Sequence, residues 1–369
     1  MSRDENARIL SIVANLVYWH DFKEVGEMKV AFRANGGGAG IGFGHLMRCI
    51  AIADALKARG ATAWFVSKNY PAGLELVKSR GYAVHALPHN VPIKEDLEMS
   101  LVLMKDADLI VADSYEFDTK YLEGLKGSGK MVATIDDKVD RVLPVDIVIG
   151  NAYATRELYG AKLPGGVKLL AGPKYLPLRK EFENMTLHSI RPQVARVLIT
   201  MGGEDPVNAT LKVVEALGKY EHPIVLDVLI GAAYKHRESL EAALKNQPQK
   251  YAIHENLKNL VPLYKNTDAA ITAPGVSLWE MAATGMPMAV VQTADNQNGV
   301  VQYTGKNNLG IVIGWHDKIT PEDIISGMHV LAERKMRENL SMRGQELVDG
   351  RGAERIADAL VIAVKERAR

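Results

Sequence analysis

Several kinds of protein are excluded by what this chain lacks. It has one cysteine, Cys49, in 369 residues, so it can form no disulfide within itself and no cysteine-based zinc cluster. A reducing cytoplasm is the compartment expected for such a chain. It also lacks an excess of charge: 45 Lys and Arg against 44 Asp and Glu leave a formal +1. That balance gives no bulk electrostatic reason to expect nucleic acid or a polybasic membrane contact. No uninterrupted apolar run approaches the roughly 18 residues of a spanning helix. Residues 1–27 lack the basic n-region and small-residue cleavage site of a signal peptide. They read instead as an amphipathic helix ahead of the first strand, either an upstream extension or an element packed on the first domain.

What is present is the composition of a globular protein, 47% apolar and 24% charged, long enough for two ordinary domains. From Met28 onward short apolar runs alternate with longer amphipathic segments. "MKVAF" (28–32), "ATAWFVSK" (61–68), "YAVHAL" (82–87), "ADLIVADSY" (107–115), "MVATIDD" (131–137) and "DIVIGN" (146–151) read as strands, with helical spacing between them. This alternation predicts a parallel, doubly wound sheet. A stretch with three prolines, 171–193, interrupts the rhythm and reads as a domain connection. The pattern then restarts at "ARVLITMGGEDPVNATLKVVEALG" (195–218). The expected architecture is α/β: two Rossmann-like halves, 28–175 and 190–344, facing one cleft. Residues 345–369 are expected to form a helix that crosses back to the first half.

Chemistry concentrates at the turns that follow strands. Between the first strand and the first long helix lies "RANGGGAGIGFGHLMRC" (33–49), which carries six glycines and then His45. Glycines at a strand-to-helix turn let backbone N–H groups approach a ligand. The loop does not spell the dinucleotide fingerprint, and Lys68 stands where an acidic residue would meet a ribose, so NAD is a poor fit. His45 is a candidate general base, because histidine is poised for proton transfer near neutral pH; the alternative is a helix-capping histidine in a tight turn.

"TMGGEDPVN" (200–208) places Gly202 and Gly203 between a strand and a helix, either at a phosphate or in an ordinary turn. "APGVSLWEMAATGMP" (273–287) is the stronger signal. Pro274, Gly275 and Ser277 prepare a helix N-terminus able to hold a diphosphate. Glu280 is placed to accept bonds from a ribose, or to pair with Ser277 in a capping box. Asn296 and Gln297, just past a strand end, read as sugar contacts or a polar turn. Asp136 and Asp137 at one strand end, and Asp113, Ser114 and Tyr115 at another, lie on the ligand side of an open sheet. Asp136 and Asp137 are a weak metal candidate, since no further ligand clusters near them in sequence.

In combination and order, these segments resemble the nucleotide-sugar hydrolase family of pseudaminic acid biosynthesis (the PseG/SpsG-like family) and, more distantly, MurG-like glycosyltransferases. The matching pieces span about residues 28–300: the G-x-G-H-x-x-R element (Gly42, Gly44, His45, Arg48), "VADSY", "TIDD", "DIVIGNAYA" with Asn151, "GPKYLPLRKEF", "ITMGGEDPVN", "APGVSLWEMAATGMP" and "ADNQ". The resemblance implies a GT-B fold with UDP held by the C-terminal half through Gly202, Gly203, Gly275, Ser277 and Glu280. It implies substrate contacts from Gly42, Gly44, Arg48, Asp113, Tyr115, Asn151, Asn296 and Gln297, and His45 as the base. The implied reaction is hydrolysis of a UDP-linked 2,4-diacetamido-2,4,6-trideoxy sugar to UDP and free sugar, with no metal and no other cofactor. UDP is a good leaving group, so the chemistry needs a held diphosphate and one base to position water. A GT-B glycosyltransferase with a sugar or lipid-linked acceptor is the alternative, with "NLVYWHDF" (15–22) as the one candidate for a peripheral membrane contact. A non-catalytic nucleotide-sugar binding protein is a third reading. The sequence leaves the oligomeric state open.

Overall fold

A computed structural model describes residues 28–38, 42–186, 188–231, 233–255, 257 and 259–369. The expected helix over 1–27, and with it the segment 15–22, lies outside the described residues.

The chain builds two wholly parallel sheets. The first has the order β3-β2-β1-β4-β5-β6-β7, from β1 (Lys29–Ala34), β2 (Thr62–Lys68), β3 (Ala83–Leu87), β4 (Leu109–Asp113), β5 (Met131–Asp136), β6 (Ile147–Gly150) and β7 (Lys168–Leu170). The second has the order β10-β9-β8-β11-β12-β13, from β8 (Arg196–Thr200), β9 (Val225–Leu229), β10 (Lys250–His254), β11 (Ala269–Thr272), β12 (Met288–Gln292) and β13 (Ile311–Trp315). Parallel sheets are covered by helices on both faces, so their central strands are apolar throughout rather than alternating. β4, β5, β6, β11 and β12 are buried along their full length, which is why each reads as a short apolar run. Each sheet accordingly has a core on either face.

One strand departs from the sequence reading. The first sheet does not end at 146–151: Lys168–Leu170 pairs with Ile147–Ile149 as an added edge. Three residues are too few for an apolar run to stand out. Residues 345–369 are also not one helix. The helix Arg334–Leu347 ends, the chain turns through Gly350 at φ +77°, and the helix Gly352–Ala368 follows. A Cβ on Gly350 would lie 2.0 Å from the carbonyl oxygen of Phe182, so this turn is pressed directly onto the earlier crossing segment. The last helix packs on the helix Gly44–Lys57 and buries Ile356, Ala357, Leu360 and Val361 in the core of the first sheet.

The strand order reverses direction between β1 and β4 in the first sheet and between β8 and β11 in the second. Such switch points open crevices at the carboxyl ends of the strands. The glycine loop leaves β1, Asp113 ends β4, Gly202 follows β8 and Pro274 follows β11. Topology therefore sets all four motifs at the two crevices.

Candidate functional site

The two crevices share one cavity of about 1030 Å³, lined from the first half by Gly42, Gly44, His45, Arg48, Tyr115, Asp137 and Asn151 and from the second by Gly202, Gly203, Gly275, Ser277, Glu280, Asn296 and Gln297. Residues as far apart in sequence as Gly42 and Gln297 thus meet around one space.

His45 is the second residue of the helix Gly44–Lys57. Its Nδ1 lies 2.7 Å from Asp113 Oδ1, and its Nε2 makes no hydrogen bond among the described residues. An ionised carboxylate only accepts, so the Nδ1 that faces Asp113 carries a proton, and in the neutral ring the lone pair then lies on Nε2; Arg48 Nη2 lies 3.2 Å from the same Nδ1. Asp113 is 1% exposed and serves Arg48 as well, accepting from its Nε at 2.5 Å and its Nη2 at 2.6 Å. Burial works against the charge on Asp113, but Arg48 and His45 outweigh it and hold its pKa at about 2. Behind it the thiol of Cys49 sits 3.8 Å from Oδ2, pushed up in pKa by burial. Asp113 is therefore walled off from the cavity, and its oxygens position His45 and Arg48 rather than a substrate.

Asp137 carries more than the sequence suggested. Its side chain accepts from Arg48 Nη1 at 2.6 Å, from the Tyr115 hydroxyl at 3.1 Å and from Asn151 Nδ2 at 3.4 Å. Tyr115 meets the His45 ring edge-on at a centroid distance of 4.6 Å, and its hydroxyl accepts from Asn296 Nδ2 of the other half at 3.4 Å. Burial, and then Asp137, raise the Tyr115 pKa well above its ordinary value, so the phenol stays protonated. Asp136 and Asp137 do not act as a pair. Asp136 turns away into the core, where it accepts from Val139 N and the Tyr159 hydroxyl. Among the described residues no group of three or more His, Cys, Asp or Glu is placed to hold a metal ion.

The two helix N-termini that follow the glycine turns of the second half differ in kind. The helix Ala209–Leu217 that follows Gly202 and Gly203 is already capped: the buried carboxylate of Asp205 accepts from Ala209 N at 2.9 Å and Thr210 N at 2.8 Å. Only the glycine loop itself, not that helix end, is free to meet a phosphate. The helix Val276–Thr284 begins at Gly275 with no side-chain cap and no acidic residue in its first turn. Ser277 is inside this helix, so the S-x-x-E capping box does not form. The helix thus turns an uncapped N-terminus and its positive dipole end to the cavity, an arrangement able to hold an anion.

Glu280 is buried one turn deeper, paired with Arg179 at 3.0 Å. Burial pushes the Glu280 pKa up and Arg179 pulls it back. Arg179 comes from the crossing segment 171–193, within the "LPLRKEF" motif, but its partner lies 101 positions away and no local spacing could announce it. Removing it leaves a buried carboxylate uncompensated. Arg179→Ala is expected to cost about 3 kcal/mol of stability at pH 8. A carboxylate whose folded pKa is raised is penalised above that pKa and relieved below it, so the deficit shrinks towards pH 5. Urea melts of both proteins at the two pH values check this, and an equal deficit at both would refute it.

Gln297 is committed differently from the sugar contact expected of it. Its Oε1 accepts from the backbone N–H of Thr293 at 2.8 Å and of Ala294 at 3.2 Å. Its carbonyl oxygen therefore closes the turn that holds Asn296 against Tyr115.

Two parallel, doubly wound sheets with one cleft between their carboxyl edges define the GT-B fold, and solved structures of that fold superpose on nearly the whole chain. MurG of Acinetobacter baumannii matches with a TM-score of 0.68 at 14% identity, over 90% of this chain and 99% of its own. The calicheamicin glycosyltransferase CalG4 matches with a TM-score of 0.63 at 14% identity, over 93% and 99%. In sequence, the chain is similar to the spore coat polysaccharide biosynthesis protein SpsG of Bacillus subtilis, 24% identical over 339 residues that cover 88% of this chain and 95% of that protein. It is also similar to the UDP-N-acetylglucosamine--N-acetylmuramyl-(pentapeptide) pyrophosphoryl-undecaprenol N-acetylglucosamine transferase of Streptomyces avermitilis, 24% identical over 282 residues, 70% of this chain and 76% of that one. No family model matches the chain. Among the described residues no helix is long and apolar enough to cross a membrane.

Proposed function

We propose that this chain is a nucleotide-sugar-using enzyme of surface-polysaccharide biosynthesis, and that it hydrolyses a UDP-linked deoxy-diacetamido sugar of the 2,4-diacetamido-2,4,6-trideoxy type. The observation that carries the reading is the His45–Asp113 contact. Its Nδ1 is held at 2.7 Å and its Nε2 is left free at the cavity wall, across from the uncapped helix Val276–Thr284.

In this reading the diphosphate rests on the N-terminus of that helix beside Ser277, and Glu280 with Arg179 takes the ribose end. Gly202 and Gly203 supply further N–H groups. The open glycine loop with Gly42 and Gly44 leaves room for the sugar, which Tyr115, Asn151 and Asn296 contact. Water gives a proton to His45 Nε2 as its oxygen bonds to the anomeric carbon. The bond from that carbon to the β-phosphate oxygen breaks with its electron pair on UDP. Attack opposite the leaving group inverts the anomeric centre. The fixed N–H dipoles at the diphosphate meet the charge that develops there, so neither a strong general acid nor a metal is required.

The sequence similarity to SpsG supports a place in polysaccharide biosynthesis, and the similarity to a UDP-N-acetylglucosamine transferase supports a UDP-sugar substrate. That second relative also keeps the transferase reading in play, in which an acceptor hydroxyl takes the place of water. UDP release from a panel of UDP-linked diacetamido and N-acetyl sugars, with EDTA and without acceptor, decides between them. Stoichiometric UDP and free sugar are expected from the diacetamido substrates. Binding with no release until an acceptor is added would replace hydrolysis with transfer.

A further inference from the structure

The contact between Tyr115 and Asn296 joins the two halves of the molecule but is long, at 3.4 Å, too weak to set their separation by itself. A second contact nearby has the character of a mechanical stop. Tyr153 follows β6 in the first half, and Gly299 is the second residue of the helix Asn298–Lys306 in the second. A Cβ on Gly299 would lie 2.4, 2.6 and 2.7 Å from three atoms of the Tyr153 ring. The ring therefore rests on bare backbone, and no other residue type permits the same approach. At its other end the Tyr153 hydroxyl donates to the backbone oxygen of Asp137 at 2.6 Å. Asp137 is the residue whose side chain holds Arg48 and Tyr115. Asn296 lies three residues before Gly299, in the turn closed by Gln297.

We infer that Tyr153 and Gly299 are positioning residues: the ring keyed against the glycine fixes the distance between the two halves at which Asn296 meets Tyr115 and His45 faces the bound nucleotide sugar. This rests on the reading of the cleft as a nucleotide-sugar site but adds residues to which that reading gives no part. Tyr153 touches no group at the base; it works through the Asp137 backbone. Gly299 does not line the large cavity, and both residues line a neighbouring cavity of about 540 Å³ on the far side of Asp137 and Asn296.

The test is a double-mutant cycle with Gly299→Ala and Tyr153→Ala. Gly299 has no positive φ and Ala is the better helix former, so Gly299→Ala is expected to fold, with a Tm lowered only by the clash at the Tyr153 ring. Its kcat for UDP release is expected to fall about tenfold or more, because misplacement of reacting groups by about 1 Å costs up to ~10²-fold. UDP affinity, which belongs to the second half alone, should stay within about twofold. In the Tyr153→Ala background the same glycine change should cost little, since the ring it would strike is gone.

A readout that does not depend on the reaction keeps failure of the inference separate from failure of the hydrolase reading. Cys49 is buried, so spin labels can be directed to Glu123→Cys and Lys335→Cys, exposed positions on opposite halves. Gly299→Ala should lengthen or broaden the inter-label distance, and adding Tyr153→Ala should remove the part caused by the clash. An unchanged distance, or an equal loss of kcat in both tyrosine backgrounds, would overturn the inference, whatever the enzyme turns out to transfer its sugar to.

Discussion

His45→Ala is expected to lower the rate of UDP release about 10²- to 10⁴-fold, the range that a positioned general base contributes, while UDP binding stays within about twofold. The reason lies in where the histidine points. Its Nδ1 is taken up by Asp113 and its Nε2 is left without a partner among the described residues. The ring is 12% exposed, at the cavity wall on the first half. UDP is assigned to the second half, so deleting the imidazole removes the base without disturbing the leaving-group site. Equilibrium titration with UDP and single-turnover release from the same preparation separate the two effects. A parallel loss of binding and turnover would make His45 a binding residue and end its assignment as the base.

Asp113→Asn should be nearly as severe for turnover and much worse for stability. The amide keeps the shape of the carboxylate but can present only one acceptor oxygen to His45 and Arg48, and turns an N–H toward one of these donors. His45 then loses the partner that holds the proton on Nδ1, so the lone pair at Nε2 is no longer assured, and a loss of turnover of about 10²-fold or more is expected. Arg48 is left beside a neutral group in a place where Asp113 is 1% exposed; breaking a buried pair of this kind costs about 3 kcal/mol.

The pH dependence of that cost follows from the low pKa of Asp113, about 2. A carboxylate whose folded pKa lies below its unfolded value of about 4 contributes stability that is complete above pH 4 and lost as pH falls towards 2. The stability gap between wild type and Asp113→Asn should therefore narrow over that window. Denaturant melts at pH 6, 4 and 3 read it directly. A gap that stays constant through the window would show that the ion pair is not its source.

Most of the fold was legible in the sequence because its central strands are buried on both faces. A strand such as Leu109–Asp113 or Met288–Gln292 must then be an unbroken apolar run, and helices between such runs leave a parallel sheet as the natural arrangement. The motif positions were legible too, since ligand-facing turns at the carboxyl ends of strands call for glycine and short polar residues. What escaped was short or remote. The edge strand Lys168–Leu170 has three residues, below the length at which periodicity shows. Arg179 was inside a quoted motif, yet its meaning depends on Glu280, 101 positions on.

Two turns that look alike on paper also proved unlike. "TMGGEDPVN" and "APGVSLWE" both place glycine before a helix, but Asp205 folds back to cap the first helix, and no side chain caps the second. Whether a carboxylate five residues from a strand end reaches a helix amide depends on the loop's path in three dimensions.

By itself, the order of residues determined that this chain would form parallel sheets under helices, and that glycine, histidine and serine would gather at the strand ends. Burial pattern and turn chemistry are local, and local rules read them. Only the tertiary structure decided which carboxylate serves which cation. Asp113 at the end of β4 and Asp137 just past β5 both meet the same arginine, but one is sealed behind His45 and the other faces the cavity. Tertiary structure also decided that Tyr153 meets a glycine 146 positions away, from 153 to 299. Hydrogen bonds and ring contacts act over a few ångströms, and which groups come within that range is set by how two sheets pack, a property that no short window of sequence contains.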